Sequence, residues 1–308
     1  MTKLDNSHIS KVLGQTVDYP DQYDPGILVR EPRSNNRQHL DIQDDALPFV
    51  GYDTWNAYEV STLTSKGMPV TGVLKIVYPC DSKYIVESKS IKLYLNSFNM
   101  FKNGVTREQA VADMVFTATV DLSELLETEV QVKFIDDNNR SNPEPVFGEM
   151  YHYMSLEHDL VDKDTIDNMN LNVYEETPEL LKVAGIGNNK HSSVQVFKSG
   201  LLKSNCRVTS QPDWGDVFVY IMGKNHVTPE SMLEYIVSFR NECHFHEEIC
   251  ETIYKRLSEL LRPEELCVTC LYARRGGIDI NPTRANMAHL LPENLIDPSI
   301  EHCKTQKQ

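Results

Sequence analysis

The order of elements implied by the hydrophobic pattern runs through this chain twice, and a duplicated order leaves few architectures open. In the first half, Trp55 to Ser65 and Val70 to Tyr78 are β-rich runs joined by Lys66-Gly67-Met68-Pro69, a hairpin signature. Lys89 to Phe98 follows as a short helix, and Thr106 opens a longer one in which Gln109 completes a capping box. The longer helix carries Val111, Met114, Val115, Ala118 and Leu122 on one face. Val130, Val132 and Phe134 then alternate with Glu129, Gln131 and Lys133 as a strand with one wet face. Beyond a loop-rich joint at residues 159–189, Asp216 to Met222 is a strand and Thr228-Pro229-Glu230 opens a helix. His246 to Leu261 is a second helix, and Leu266 to Ala273 a closing strand. Tyr94-Leu95-Asn96-Ser97-Phe98 echoes Tyr235-Ile236-Val237-Ser238-Phe239 at the same place in each helical pair. The pattern predicts an α+β fold of two tandem modules, each an antiparallel sheet with helices on one face. Residues 1–50, with Pro20, Pro25, Pro32 and Pro48, are expected to form an amino-terminal arm draped over the surface with little regular structure. The first module then covers 51–175 and the second 176–308.

Composition narrows the partners. With 308 residues and 40% hydrophobic content the chain buries a sizeable core. Its longest apolar run is Val217 to Met222 and its amino terminus is polar, so neither a membrane span nor a signal peptide is expected. Seven irregularly spaced cysteines do not form a disulfide framework, which places the chain in a reducing, cytoplasmic compartment with free thiols. A net charge of -15 argues against binding nucleic acid, so phosphates must meet local clusters such as Arg274-Arg275-Gly276-Gly277 or Lys89 with Lys92. Gly185-Ile186-Gly187 lacks the third glycine and the strand-to-helix setting of a dinucleotide turn, and no Walker loop is present.

Chemistry concentrates in Ser204 to Trp214, which sets Cys206 and Asp213 on either side of a chain reversal that Pro212 keeps out of a helix. A thiol adds to an electrophilic carbon as thiolate and needs a proton acceptor or a positive field nearby; its bland alternative is a small buried hydrophobe. Cys243, His246 and Cys250 share one helical face and invite a zinc reading, with Cys267 and Cys270 as further ligands. Strand spacing turns Cys267 and Cys270 to opposite faces, and no metal site is expected. In Phe245-His246-Glu247 the carboxylate either faces a pocket walled by Phe245 or complements the helix dipole at the surface.

Together Val86-Glu87-Ser88-Lys89-Ser90-Ile91-Lys92-Leu93-Tyr94, Cys206 to Trp214, Phe245-His246-Glu247 and Arg274-Arg275-Gly276-Gly277-Ile278-Asp279-Ile280-Asn281-Pro282 carry a resemblance. From about Gly26 to Arg284 the chain resembles the NADPH-dependent 7-cyano-7-deazaguanine reductases of queuosine biosynthesis in their longer two-module form. The resemblance implies the tunnelling fold, whose modules lie side by side and whose subunits associate around a central tunnel, hence a homodimer or higher homo-oligomer. It also implies a four-electron reduction of a nitrile to a primary amine with two NADPH. Cys206 would add to the nitrile as a covalent thioimide, Asp213 would deliver a proton and His246 would assist. For that role Asp213 should be partly desolvated by Trp214 and the covering substrate and protonated near neutral pH. Glu247 would accept two donors of the guanine-like edge, with Val86, Glu87, Ser88 and His246 completing the substrate site. Ser88, Lys89, Arg275 and Gly276 would contact NADPH. Arg207 departs from the family, which often has a smaller or apolar residue there; it either depresses the Cys206 pKa or points to solvent. A thiol-dependent nitrile hydrolase using Cys206, Glu87 and Lys89, a non-catalytic purine or pterin binder, and a metal-dependent cyclohydrolase are the alternatives.

Overall fold

The computed structural model describes residue 20 and residues 22–148, 152–184 and 191–308; Gly185-Ile186-Gly187 lies outside the described residues. In chain order the elements are β1 (Arg30–Pro32), α1 (Ser34–Arg37), β2 (Val50–Leu63), β3 (Pro69–Pro79), β4 (Tyr84–Val86), α2 (Ser88–Asn96), α3 (Arg107–Leu126) and β5 (Gln131–Ile135). The second half continues with β6 (Met154–Ser155), α4 (Lys163–Asn168), β7 (Ser193–Ser199), β8 (Lys203–Cys206), β9 (Pro212–Gly223) and α5 (Pro229–Ser238). It closes with β10 (Cys243–His244), α6 (His246–Leu261), β11 (Glu265–Tyr272), β12 (Ile278–Ala285) and α7 (Glu293–Ile296). The chain is a mixed α+β protein.

Both halves share one sheet. Among the described residues its main path is β10-β8-β9-β11-β12-β2-β3-β5, with β7 also on β9 and β6 on β7. The joint is antiparallel pairing of β12 with β2, from Ile278 opposite Ala57 to Ala285 opposite Val50. Strand register then fixes the faces. Trp55, Ala57, Ile76, Ile278 and Ile280 turn to the core under α2 and α3, while Val217, Val219, Val268 and Cys270 turn to the core under α5 and α6. On the opposite face Thr54, Asn56, Thr269, Asp279, Asn281 and Thr283 are buried beneath the carboxy-terminal segment. Lys75 anchors that segment by donating to the carbonyls of Asp297 and Ile300, both at 2.7 Å. Burial, followed by repulsion from the Lys304 ammonium, lowers the Lys75 pKa to about 7.

The helices follow their local signals. Thr106 caps α3 by accepting from Gln109 N–H, and α3 buries Ala110, Met114, Ala118, Leu122 and Leu126, a stripe of four-residue steps; Val111 and Val115 are only partly buried. The sequence echo is structural. Tyr94 and Phe98 pack edge to face at 5.3 Å, and Tyr235 and Phe239 do so at 5.2 Å. Ser97 donates to Tyr94 O at 2.6 Å as Ser238 does to Tyr235 O at 2.7 Å.

The arm departs from expectation. Its described part contains β1, α1 and two 3-10 turns, and β1 pairs with β4 instead of lying loose. Arg33, Asn36, Arg37, Leu40, Ile42 and Phe49 are buried, because Arg33 and Arg37 enter an ionic cluster between the halves. Asp53 on β2 accepts from Arg33 and, at 2.8 Å, from Arg284 on β12. Glu251 on α6 accepts from Arg284 and Arg37, each at 2.9 Å. Burial, the largest influence on both carboxyls, would raise their pKa, but the arginines hold Asp53 and Glu251 below the usual carboxylate range.

Removing one member leaves buried charge without a partner. Arg284→Met is expected to cost about 3–5 kcal/mol in urea denaturation. Because both carboxyls are depressed, the stability they contribute is complete above their unfolded values near ~4 and is lost as pH falls through the lower folded ones; acid titration of wild type and Glu251→Gln checks this.

Candidate active site

The nucleophile candidate ends β8. Cys206 N–H donates to Gln211 O at 2.8 Å and Ser210 N–H to Cys206 O at 2.9 Å, with Ser210 in the left-handed region at φ 54. This tight reversal presents the N–H groups of Val208 and Thr209 and the Thr209 hydroxyl to the sulfur. Lys89 Nζ, from the first turn of α2, lies 3.7 Å from Sγ. Burial pushes the thiol pKa up, but those hydrogen bonds and the Lys89 charge outweigh it and bring Cys206 below the ordinary cysteine value.

Asp213 lies opposite Ser204 in the β8–β9 ladder, so it shares the helix-side face with Cys206. Arg275 donates to its Oδ1, and His246 Nε2 stands 3.5 Å from Oδ2. His246 begins α6 and stacks on Tyr272, ring centroids 3.8 Å apart at 14°. Its Nδ1 has no partner among the described residues. Glu247, next on α6, is 2% exposed, its Oε1 is also unpartnered, and burial followed by the Asp53 charge pushes its pKa up to about 8. The pocket reading of Glu247 therefore prevails over the surface one.

The protonation of Asp213 and the place of Trp214 differ from expectation, and the other expected residues are placed as follows. Asp213 is not protonated near neutral pH: burial does raise its pKa, but His246 and then Arg275 hold it below the usual carboxylate range. Trp214 is not the desolvating neighbour: it is 42% exposed and, one residue along the strand, points to the other face. Arg275, expected on a cofactor phosphate, is bound to Asp213, to Gln211 and, at 3.4 Å, to Thr209 Oγ1. Lys89, expected on the same cofactor, has its ammonium at the cysteine. Glu87, expected on the substrate, caps α2 by accepting from Lys89 N–H at 3.0 Å and Ser90 N–H at 2.7 Å. Val86 is buried at the end of β4, and the Ser88 hydroxyl is 3.4 Å from Glu87 Oε1. Arg207 does not face solvent; it pairs with Glu248 at 2.9 Å.

A phosphate-bearing cofactor fits beside this cluster. The β11–β12 turn closes through Arg275 N–H to Ile278 O at 2.8 Å, with Gly276 and Gly277 at φ 58 and 78. A Cβ on Gly276 would lie 2.7 Å from Lys92 Nζ, so the bare backbone admits a close approach beside a cation. Lys92, Leu95, Gly276 and Gly277 line a shallow cleft there. Lys92 pairs with an exposed carboxylate, Glu59, at 3.8 Å. Thr209 and Tyr272 escape the sequence reading; the helix-side position of Tyr272 at the end of β11 is the available signal.

Residues 19–134 match the family described as "Nitrile reductase, 7-cyano-7-deazaguanine-reductase N-term", and residues 212–289 match "QueF-like protein". The chain is 39% identical over 283 residues, 92% of its length and 96% of the relative's, to the NADPH-dependent 7-cyano-7-deazaguanine reductase of Bordetella pertussis. The enzyme of the same name from Ralstonia nicotianae is 39% identical over 92% of this chain and 95% of its own. That from Legionella pneumophila is 38% identical over 89% and 88%.

Lys89→Met and Thr209→Val are each expected to raise the ionisation midpoint of Cys206 by roughly one pH unit, followed as thiolate absorbance in the ultraviolet with Cys206→Ala as the blank.

Proposed function

Given that the chain belongs to the NADPH-dependent 7-cyano-7-deazaguanine reductases, whose activity it therefore carries, we propose that Cys206 forms the covalent bond to the nitrile. The observation behind this reading is that Cys206, Asp213, His246 and Lys89 converge from four separate segments on one face of the sheet. Each has a place in the reaction.

A nitrile carbon is a poor hydride acceptor until something adds to it. The Cys206 thiolate, stabilised by Lys89 and the Thr209 turn, adds to that carbon, and the nitrogen takes a proton from His246, giving a thioimide. Asp213, held as a carboxylate, is not the first proton donor; it stands 3.5 Å from His246 Nε2 and orients the ring, and Tyr272 holds the ring plane. NADPH supplies two hydrides which, with two protons, convert the nitrile to the primary amine of 7-aminomethyl-7-deazaguanine. Between the reductions, expulsion of Cys206 from the tetrahedral carbon returns the thiolate and leaves an imine. Lys92 and the Gly276-Gly277 backbone would hold cofactor phosphate, while Lys89 and Arg275 keep the nucleophile and its acid–base partner in place.

Glu247 recognises the base. A buried carboxyl with an unpartnered oxygen suits two adjacent N–H donors, as on the guanine-like edge. Nitrile hydrolysis is supported less well, because the Glu87 carboxylate is occupied in capping α2 and is not free to activate water.

We read the two halves as tandem modules of the tunnelling fold, 51–175 and 176–308 behind the arm, on the strength of the duplicated Tyr–Ser–Phe packing. In the same reading the protein is cytoplasmic, self-associates as a dimer or larger assembly, and does not contact nucleic acid. Among the described residues no helix is long and apolar enough to cross a membrane.

Mixing protein and 7-cyano-7-deazaguanine without NADPH should add one substrate mass to wild type and none to Cys206→Ala; no adduct together with no NADPH oxidation would overturn the assignment. Substrate donors should ionise Glu247, so binding at pH 7 should release close to ~1 proton per site. Calorimetry in buffers of different ionisation enthalpy reads this, and Glu247→Gln should abolish it.

A further inference from the structure

Arg207 follows the candidate nucleophile, and its guanidinium is tied to α6. Its Nη1 lies 2.9 Å from Glu248 Oε1, with the two side chains 10% and 7% exposed. The guanidinium also stands over the Phe245 ring at 5.3 Å. Glu248 is itself fixed: its Oε2 accepts from Phe245 N–H at 3.0 Å and contacts His244 Nδ1 at 3.2 Å, and His244 Nε2 reaches Glu242 at 3.1 Å. The backbone makes the same link, since β10 runs parallel to β8 with His244 opposite Cys206. One buried ion pair thus joins the turn carrying Cys206 to the helix start carrying His246 and Glu247.

We propose that Arg207 is a positioning residue, clamping the Cys206 turn to the first turn of α6 through Glu248 so that nucleophile, proton donor and base-recognition carboxyl keep one geometry. This rests on Cys206 being the nucleophile.

The turn has reason to need a clamp. The sulfur draws on the N–H groups of Val208 and Thr209, and these point at it only while residues 206–211 stay closed. The hydrogen bonds closing the reversal leave Arg207 as the turn residue whose side chain is tied to α6. The other charged or titratable groups facing the thiol are Lys89 from α2, Cys243 from β10 and Arg275, itself paired with Asp213, from the β11–β12 turn. None belongs to the Arg207–Glu248 pair, so breaking the pair leaves those charges in place; Arg207→Leu removes a positive charge and Glu248→Gln a negative one, so a midpoint that rises in both reports the turn and not the field. Facing Glu248 are Arg207 and His244. Burial opposes a charge on His244, but its hydrogen bonds to Glu242 and Glu248 raise its pKa to about 9, so Glu248 keeps a cationic neighbour when Arg207 is removed.

The test compares Arg207→Leu, Glu248→Gln, Arg207→Lys and the exchange of Arg207→Glu with Glu248→Arg, all in the full chain. Three quantities are read beside the melting temperature. They are the pH midpoint of Cys206 alkylation by iodoacetamide, resolved by peptide mass; the rate of adduct formation with 7-cyano-7-deazaguanine; and KM for NADPH. Arg207→Leu and Glu248→Gln should both raise the midpoint and slow the adduct by about ten- to a hundredfold, with KM for NADPH unchanged. Arg207→Lys should recover part of the loss. The exchanged pair should do better than its single substitutions multiplied together. A midpoint and adduct rate within about twofold of wild type in both single variants would overturn the clamp, whatever the melting temperature did. If Arg207→Leu fails to fold, Glu248→Gln and Arg207→Lys decide by the same readings. An adduct persisting on Cys206→Ala would instead overturn the nucleophile assignment and the clamp with it. Loss of adduct there, with normal Arg207 and Glu248 variants, would remove the clamp alone.

Discussion

Buried charge between Asp53, Arg284 and Glu251 is what the two halves of the molecule are built around. These groups come from β2, β12 and α6, and Arg33 and Arg37 of the amino-terminal arm complete the set. Desolvating so many charges is costly, and it is offset only where every carboxylate oxygen and guanidinium edge finds a partner. That requirement fixes the separation of α6 from the β2–β12 joint to within hydrogen-bond tolerance. Since α6 also begins with His246 and Glu247, one turn before Glu251, the same cluster sets the depth and rotation at which those side chains meet the pocket. Burial, and after it the negative field of Asp53, keeps Glu247 protonated until donors arrive. The arm is thus an internal counter-charge, with Arg33 and Arg37 reaching into the joint.

The site takes little from any single element. β8 contributes a thiol, β9 a carboxylate, α6 an imidazole and a carboxyl, α2 an ammonium, and the β11–β12 turn a guanidinium that ties the carboxylate to the nucleophile turn. Such a distribution suits a reaction in which one carbon changes its bonding repeatedly, because the groups are held in place by several elements packed on one sheet.

Much of this is legible in the chain. The span His246 to Leu261 coincides with α6 because Arg262-Pro263 ends the helix and the apolar repeat is clean. The capped start of α3 and the alternation around Val132 are equally plain, and the motif residues Cys206, Asp213 and His246 do come together. What stays hidden depends on partners remote in sequence. Strand β12 is not anticipated as a strand, since Pro282 and Arg284 look wrong for a central one. Pro282 sits one residue before Thr283, where the ladder to β11 stops, and Arg284 meets its carboxylates from β2 and α6. The protonation of Asp213 is misjudged for the same reason: its neighbour Trp214 is visible in the sequence, but Arg275, 62 residues away, helps decide the charge. The N-cap role of Glu87 is implied by the helix that follows, but its bonds from Lys89 and Ser90 N–H show only in the structure.

The shared sheet also bears on how the chain is made. Strand β12, near the end of the sequence, lies between β2 and β11 in the middle of the sheet. A ribosome releasing this protein has exposed β2, β3 and β5 long before residues 278–285 exist, so the first half waits with an unpaired central edge. Its neighbour lies far along the sequence, from Ala57 to Ile278, a long loop to close before the sheet is continuous. The first half is therefore the stage of synthesis at which a growing chain is most prone to pair with the wrong edge. A gene truncated before β12 would yield a fragment with a sticky sheet in place of a smaller domain.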